Sequence, residues 1–122
     1  MILFPESQKK AQAEIDATIG IDRLPTYTDR ESLPFVEAVI KEVLRWHVIA
    51  PLAFPHRVSE DDIHEGYYIP KGTTIIANVW FMLHDPRVYS DPMEFRPERF
   101  LACGTKDPEA DPRTIAFGFG RR

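Results

Sequence analysis

Three short groups of residues combine charge, aromatic rings and glycine in patterns that could build a binding site or a buried ionic cluster. Glu42 and Arg45 stand three residues apart, close enough for an ion pair if the segment is helical. Residues 97–100 read Pro-Glu-Arg-Phe and follow Phe95. Residues 117–122 read Phe-Gly-Phe-Gly-Arg-Arg, and glycines between aromatics suit a loop that packs closely against a flat object.

Each group alone has a simpler interpretation. An isolated Glu-x-x-Arg pair is most often a solvated surface pair worth about a few tenths of a kcal/mol. The Gly-x-Gly of residues 117–122 lacks the third glycine and the Lys-Ser/Thr of a phosphate-binding loop. The histidines show no metal-ligand spacing, so no metal site is predicted within these residues, and no catalytic residue either. The histidines are His47, His56, His64 and His84.

Composition indicates a globular protein that does not bind nucleic acid. The chain has 122 residues, of which 43% are hydrophobic and 28% charged. Its net charge of −4 provides no basic stripe to neutralise phosphates. The single cysteine, Cys103, excludes an intramolecular disulfide framework. No apolar run approaches the roughly 20 residues of a membrane span, and the N-terminus does not resemble a signal peptide, so we expect no anchor or signal in this chain.

Two helices should position the charged groups. Good helix formers predict a first helix over residues 5–19, with a thin apolar stripe typical of a surface helix. Apolar residues at i, i+3, i+4, i+7 and i+8 predict a second helix over residues 33–47, with Ser32 as its N-cap. Glu42 and Arg45 lie on this second helix.

The remainder of the chain is predicted to be shorter strands and irregular segments, which makes the fold class α+β. A small β region is expected over residues 52–78, with a hairpin in which residues 67–69 and 73–77 flank Pro70-Lys71-Gly72. Residues 80–84 are predicted to form a short helix. Residues 85–113 form a proline-punctuated meander without periodicity, which is unusual in a compact domain unless function requires it.

Taken in order, these groups resemble the C-terminal part of a cytochrome P450, a haem-thiolate monooxygenase. The matching segments are Glu-x-x-Arg on a helix, Ile-Pro-Lys-Gly-Thr at residues 69–73, Phe-x-Pro-Glu-Arg-Phe at 95–100 and Phe-x-x-Gly-x-Arg at 117–122. The resemblance covers nearly the whole chain and is closest in style to a microsomal, fungal type. It implies a single partial domain, 1–122, of the mainly helical cytochrome P450 fold, ending at the start of the haem-binding loop.

The resemblance assigns roles to residues. Glu42, Arg45 and Arg99 match a buried structural triad that fixes the meander against the helix. His56, with Arg57 beside it, falls where the family binds a haem propionate. Three further haem-loop positions are Phe117, Gly120 and Arg122. The segment expected to line the substrate pocket comprises Ile49, Ala50, Pro51, Leu52, Ala53 and Phe54.

The resemblance also implies partners and a location. The cofactor would be haem, the electrons would come from an NADPH-dependent reductase, the substrate would be small and apolar, and the parent would sit on the cytosolic face of the endoplasmic-reticulum membrane. The cysteine ligand of the family would follow residue 122, and Cys103 precedes the glycine loop, so it is not expected to replace it. Because this ligand and the family's oxygen-activating helix are missing from these residues, we expect the isolated chain to be inactive. The alternatives are a non-enzymatic α+β interaction module or a truncated remnant.

Overall fold

The computed structural model describes residues 2–105 and 107–118. Its helices and strands, in chain order, are α1 (Pro5–Ile19), a 3₁₀ helix (Tyr27–Ser32), α2 (Pro34–Trp46), β1 (His56–Arg57), β2 (Asp62–His64), β3 (Tyr67–Ile69), β4 (Thr74–Ile75), α3 (Val79–Leu83), a second 3₁₀ helix (Pro97–Phe100) and α4 (Arg113–Ala116). The fold is α+β, with α2 at its centre. The four strands form two separate two-stranded sheets, β1 with β4 and β2 with β3.

Helix α2 begins differently from the sequence-based expectation. Ser32 is not its N-cap, because Ser32 ends the 3₁₀ helix that starts at Tyr27, and Leu33 precedes α2 without a capping side chain. The free N–H groups of the first turn are instead bonded by Glu14 of helix α1, whose two carboxylate oxygens accept from Phe35 and Val36 at 2.9 Å each. A residue 21 positions away thus replaces the local cap.

The predicted hairpin around Pro70-Lys71-Gly72 is wrong. Strand β3 pairs with β2, through a turn in which Glu65 and Gly66 both have positive φ, the geometry of a two-residue hairpin loop. Strand β4 pairs with β1 instead, with His56 opposite Ile75. The chain does turn at residues 70–73, where the Thr73 N–H donates to the Pro70 carbonyl, but this turn redirects it towards β1.

The core is small and lies where α2, α3 and the meander meet. Its buried apolar residues are Ala38, Val79, Leu83, Tyr89 and Phe100, and the partly buried residues packed on them include Leu101, Ile115 and Ala116. Phe4 and Phe95 stack with ring centroids 4.2 Å apart, and Trp46 packs edge-on against both. The contacts among these three aromatic rings join the start of α1 to the end of α2.

Candidate functional site

The carboxylate of Glu42 is the centre of a buried ionic cluster. Arg45 donates from Nε and Nη2 to the two oxygens of Glu42, both at 2.8 Å. Nε of Arg99 lies 3.3 Å from one oxygen and 3.2 Å from the other. The backbone N–H of Arg96 donates to the same carboxylate at 2.7 Å. The side chains of Glu42, Arg45 and Arg99 are all 0% exposed, so solvent does not screen these contacts.

The remaining arginine donors bind the backbone of the meander. Nη1 of Arg45 donates to the carbonyls of Leu83 at 3.1 Å and Pro92 at 2.7 Å. Nη1 of Arg99 donates to the Ser90 carbonyl at 2.6 Å. The Arg45 bonds join α2 to residues 38 and 47 positions later in the chain, and the Arg99 bond links two parts of the meander, so together they hold the irregular meander in one conformation.

The negative charge of a second carboxylate, that of Glu109, balances the positive charge of Arg99. Glu109 accepts from Nη1 of Arg99 at 2.7 Å, and its side chain is 8% exposed. Burial acts to raise the pKa of Glu109, but hydrogen bonds from Ser90 and Arg99 outweigh it and leave the pKa below its usual value. The cluster therefore contains two arginines and two carboxylates. Burial of ions is tolerable when each is paired and its donors are bonded, as here.

Residues His56 and Arg57 of β1 are both exposed. Successive side chains of a strand point to opposite faces, so the two do not share one face of the sheet. His56 lies opposite Ile75 of β4. The guanidinium of Arg57 packs over Gly72: a Cβ atom at Gly72 would lie 3.2 Å from its Nη2. Gly72 thus leaves room for Arg57, and its φ of +88° also favours glycine.

The segment 49–54 presents large apolar side chains to solvent. Ile49 is 83% exposed and Phe54 is 81% exposed, while Ala53 contacts the core. The backbone is held in place: the N–H of Trp80 donates to the carbonyl of Pro51 at 3.0 Å, and Ala53 adopts a φ of +52°. The segment is therefore an apolar surface on a fixed backbone.

The start of the glycine-rich segment is described only in part. Phe117 follows α4 and is 72% exposed, and the N–H of Gly118 donates to the Ile115 carbonyl at 3.1 Å. The predicted positions Gly120 and Arg122 lie outside the described residues. Cys103 is an exposed free thiol.

Among residues 2–105 and 107–118, no group of three or more histidine, cysteine, aspartate or glutamate side chains is arranged to hold a metal ion. Within the same residues, no helix has the length and apolar content to cross a membrane.

Two shallow depressions of about 290 Å³ each lie away from β1 and segment 49–54. The apolar one is lined by Ile2, Leu3, Phe4, Val43, Trp46, His47 and Phe95. The polar one borders Arg99 and includes Glu109 and Cys103 in its wall. Neither contains the residues predicted to contact haem propionates or substrate.

Sequence reasoning missed the long-range partners of the charged residues. Glu14 and Glu109 gave no local signal, because their partners lie 21 and 10 positions away in an aperiodic pattern. The sequence does contain a signal for a further ionic cluster that involves α2: the order Asp-Pro-Arg occurs at residues 85–87 and again at 111–113. The second of these contacts Glu37 of α2.

Comparison with known proteins places this architecture in a family. The cytochrome P450 family profile matches residues 1–122. The chain is 58% identical over its whole length to cytochrome P450 monooxygenase claR of Ampulloclitocybe clavipes and 59% identical to cytochrome P450 monooxygenase 208 of Postia placenta. It is 50% identical to O-methylsterigmatocystin oxidoreductase of Aspergillus flavus. It spans 23%, 24% and 23% of these relatives, respectively. The chain belongs to the cytochrome P450 family.

Proposed function

We propose that this chain is the part of a haem-dependent monooxygenase that supports the haem and leads into its binding loop. The enzyme would insert one oxygen atom from O₂ into a small apolar organic substrate, with electrons from an NADPH-dependent reductase at the endoplasmic-reticulum membrane. The observation that carries the proposal is the buried cluster of Glu42, Arg45 and Arg99, whose mutual contacts support their assignment to the family's structural triad. The names of the fungal relatives, which are monooxygenases, support the reaction class.

The described residues fit a flat, largely apolar group that carries carboxylates on one edge. His56 is an exposed potential donor directly opposite Ile75, which is 42% exposed, so a donor and an apolar side chain share one face of the β1–β4 sheet. When bound, haem would supply the oxidising chemistry, while the protein contributes position, electrostatics and exclusion of water. In this arrangement His56 would hold a propionate, and Arg57 would do so only from the opposite face.

Segment 49–54 would provide apolar contact to the substrate. Ile49, Leu52 and Phe54 expose apolar side chains, while bonds from Trp80 and within the segment fix its backbone. A fixed backbone costs less entropy on binding than a loop that must become ordered. This supports a role in shaping a substrate pocket.

We further propose that these 122 residues alone do not catalyse the reaction. Their one cysteine, Cys103, lies in the meander, whereas the family's ligand follows the glycine-rich loop. A thiolate in that place is what favours O–O cleavage in this class of enzyme. The alternative of an interaction module would leave Glu42, Arg45 and Arg99 exposed and separate, and their burial weighs against it.

The test is haem retention by the native gene product that contains these residues. His56→Ala should lower haem affinity about ten- to a hundredfold, because a hydrogen bond to a charged group is worth about 1.5–3 kcal/mol. His64→Ala is the matched control, since His64 is also an exposed histidine but lies on strand β2 of the other sheet. Equal effects of the two substitutions would contradict the role of His56.

A further inference from the structure

The two Asp-Pro-Arg segments fold alike but occupy different surroundings. In each, the arginine N–H donates to the aspartate Oδ1, at 2.9 Å for Arg87 and 3.0 Å for Arg113. Each Nε also bonds the same carboxylate. The side chain of Arg87 is 81% exposed, whereas that of Arg113 is 37% exposed. Nη1 of Arg113 donates to Glu37 of helix α2 at 2.8 Å.

Helix α2 contacts the second Asp-Pro-Arg segment, residues 111–113, through two side chains of opposite charge. Glu37 and Lys41 are four residues apart and therefore neighbours on one face of the helix. Glu37 binds Arg113, while Nζ of Lys41 lies 3.4 Å from Oδ2 of Asp111. Arg30 also holds Glu37 through two bonds of 2.8 and 2.7 Å. Opposite charges thus alternate across the contact between α2 and the second segment.

The two carboxylates of this contact, Asp111 and Glu37, have lowered pKa values. Hydrogen bonding by Arg113 is the main cause that lowers the pKa of Asp111 to about 2. Hydrogen bonding by Arg30 is the main cause that lowers the pKa of Glu37. Both carboxylates therefore stay ionised across the physiological range.

This cluster contacts the start of helix α4, which directly precedes residue 117 in the chain. Arg113 is the first residue of α4, and Ile115 and Ala116 of the same helix pack on the apolar core. The N–H groups of Ala116 and Gly118 then donate to the Pro112 and Ile115 carbonyls. Helix α4, only four residues long, is therefore held by ionic contacts at its start and apolar contacts along its length.

We propose that Glu37, Lys41, Asp111 and Arg113 form a second ionic clamp, distinct from the Glu42 cluster, that positions the entry to the haem-binding loop. The inference rests on the proposed function for what the loop binds. The four side chains are positioning residues, which act on the loop through α4. Because α2 also carries Glu42 and Arg45, one rigid helix fixes both residues 96–99 and residues 111–113.

The first test is hydrogen exchange of the Ala116 and Gly118 amides in the native gene product. Arg113→Met removes the charge but keeps an apolar stem, and it should speed exchange at both amides about three- to tenfold, as expected for a half-buried ionic contact. Arg87→Met is the matched control and should leave both amides unchanged. Arg113→Lys should restore much of the protection. Unchanged exchange in Arg113→Met would overturn the clamp.

The second readout is the absorbance of the reduced, carbon-monoxide-treated protein at a temperature where circular dichroism shows every variant folded. Arg113→Met should lose part of the thiolate-type band and Arg113→Lys should regain it, while Arg87→Met should match the parent. If Arg113→Met does not fold, Lys41→Met tests the clamp through its other contact, with Asp111, and a smaller loss is expected.

The outcomes separate the two proposals. Faster exchange together with an unchanged thiolate-type band would overturn the positioning of the loop. A parent protein that binds no haem would overturn the proposed function, whereas faster exchange in its Arg113→Met variant would still support the clamp on α4.

Discussion

The carboxylate of Glu42 accepts hydrogen bonds from three residues in a place that water does not reach. Two arginines and two carboxylates balance there, and the guanidinium donors left over bind backbone carbonyls. A buried ion pair is weak evidence for stability as a whole, but removing one member leaves the others buried and unpaired. The cluster is therefore very sensitive to substitution of its central residue.

Glu42→Gln should lower the free energy of unfolding of the native gene product by about 3–5 kcal/mol, because two arginines lose their shared negative charge. The measurement is urea-induced unfolding followed by circular dichroism. Glu98→Gln is the control: its pair with Lys10 is exposed, and about 1 kcal/mol or less is expected. Similar losses of unfolding free energy in the two variants would contradict a larger cost for the buried Glu42 than for an exposed carboxylate.

Tyr89 also carries a buried polar atom, but its hydroxyl differs from the Glu42 carboxylate in its hydrogen bonding. Its ring is fully buried in the core, and its hydroxyl has no hydrogen-bond partner among the described residues. Burial is the main cause that raises the pKa of Tyr89 to about 12, so the hydroxyl stays protonated at neutral pH. The guanidinium of Arg45 lies 5.5 Å from the ring centroid, a contact that phenylalanine would retain.

Tyr89→Phe should therefore leave the free energy of unfolding within about 0.5 kcal/mol of the parent, or raise it, since no hydrogen bond to a described residue is lost. Tyr89→Ala should cost about 3–5 kcal/mol through the cavity it opens. Thermal unfolding of both variants checks this. A loss of more than about 1.5 kcal/mol in Tyr89→Phe would show that the hydroxyl is bonded in the native protein.

Helix α2 is the element on which the other parts of the site depend. It carries Glu42 and Arg45 on one side, Glu37 and Lys41 on another, and it is capped from a distance by Glu14. A helix start needs partners for its free N–H groups, and a carboxylate there also interacts favourably with the helix dipole. Helix α1, which has no fully buried residue of its own, contributes to the site through this cap.

Glu14→Ala should destabilise the protein by about 0.5–2 kcal/mol, the usual cost of losing an N-terminal cap. Glu14→Gln keeps one acceptor and should lose less. Glu6→Ala on the same helix is the control, because Glu6 makes only an exposed pair with Lys9. Equal unfolding midpoints for Glu14→Ala and Glu6→Ala would contradict the role of Glu14.

Helices α1, α2 and α3 follow from local sequence, but the two 3₁₀ helices, α4 and the pairing of the strands do not. Apolar periodicity indicates α2 to within a residue or two, because one face of that helix must be buried. The turn at residues 70–73 is also visible in the sequence, yet β3 and β4 pair with different partners. Strands of two or three residues carry too little pattern to specify register, so their partners are set by tertiary context.

The charged site was predictable only where a family pattern exists. Glu42, Arg45 and Arg99 stand in a recognisable order, and the structure brings their side chains together. Glu109 and Glu14 have no such pattern, and side chains of this type are exposed in most proteins. Their roles depend on how the meander and α1 fold back on α2, which a local reading of the sequence does not show.

The described residues as a set expose more large apolar side chains than they bury. Seven apolar residues are buried, whereas twenty large apolar residues are exposed, among them Ile49, Phe54 and Phe117 at more than 70% each. Extended apolar exposure marks surfaces that bind something. The chain spans about a quarter of its curated relatives, and its exposed apolar residues include those predicted to contact haem and substrate. We expect these surfaces to be covered in the native gene product with haem bound.

The most direct test is the absorbance spectrum of that native gene product, purified, reduced and treated with carbon monoxide. The proposal predicts bound haem and a thiolate-type carbon-monoxide band, because in that proposal the meander held by the buried Glu42 cluster leads into the haem-binding loop. Absence of haem from the folded protein, or a band without thiolate character, would contradict it.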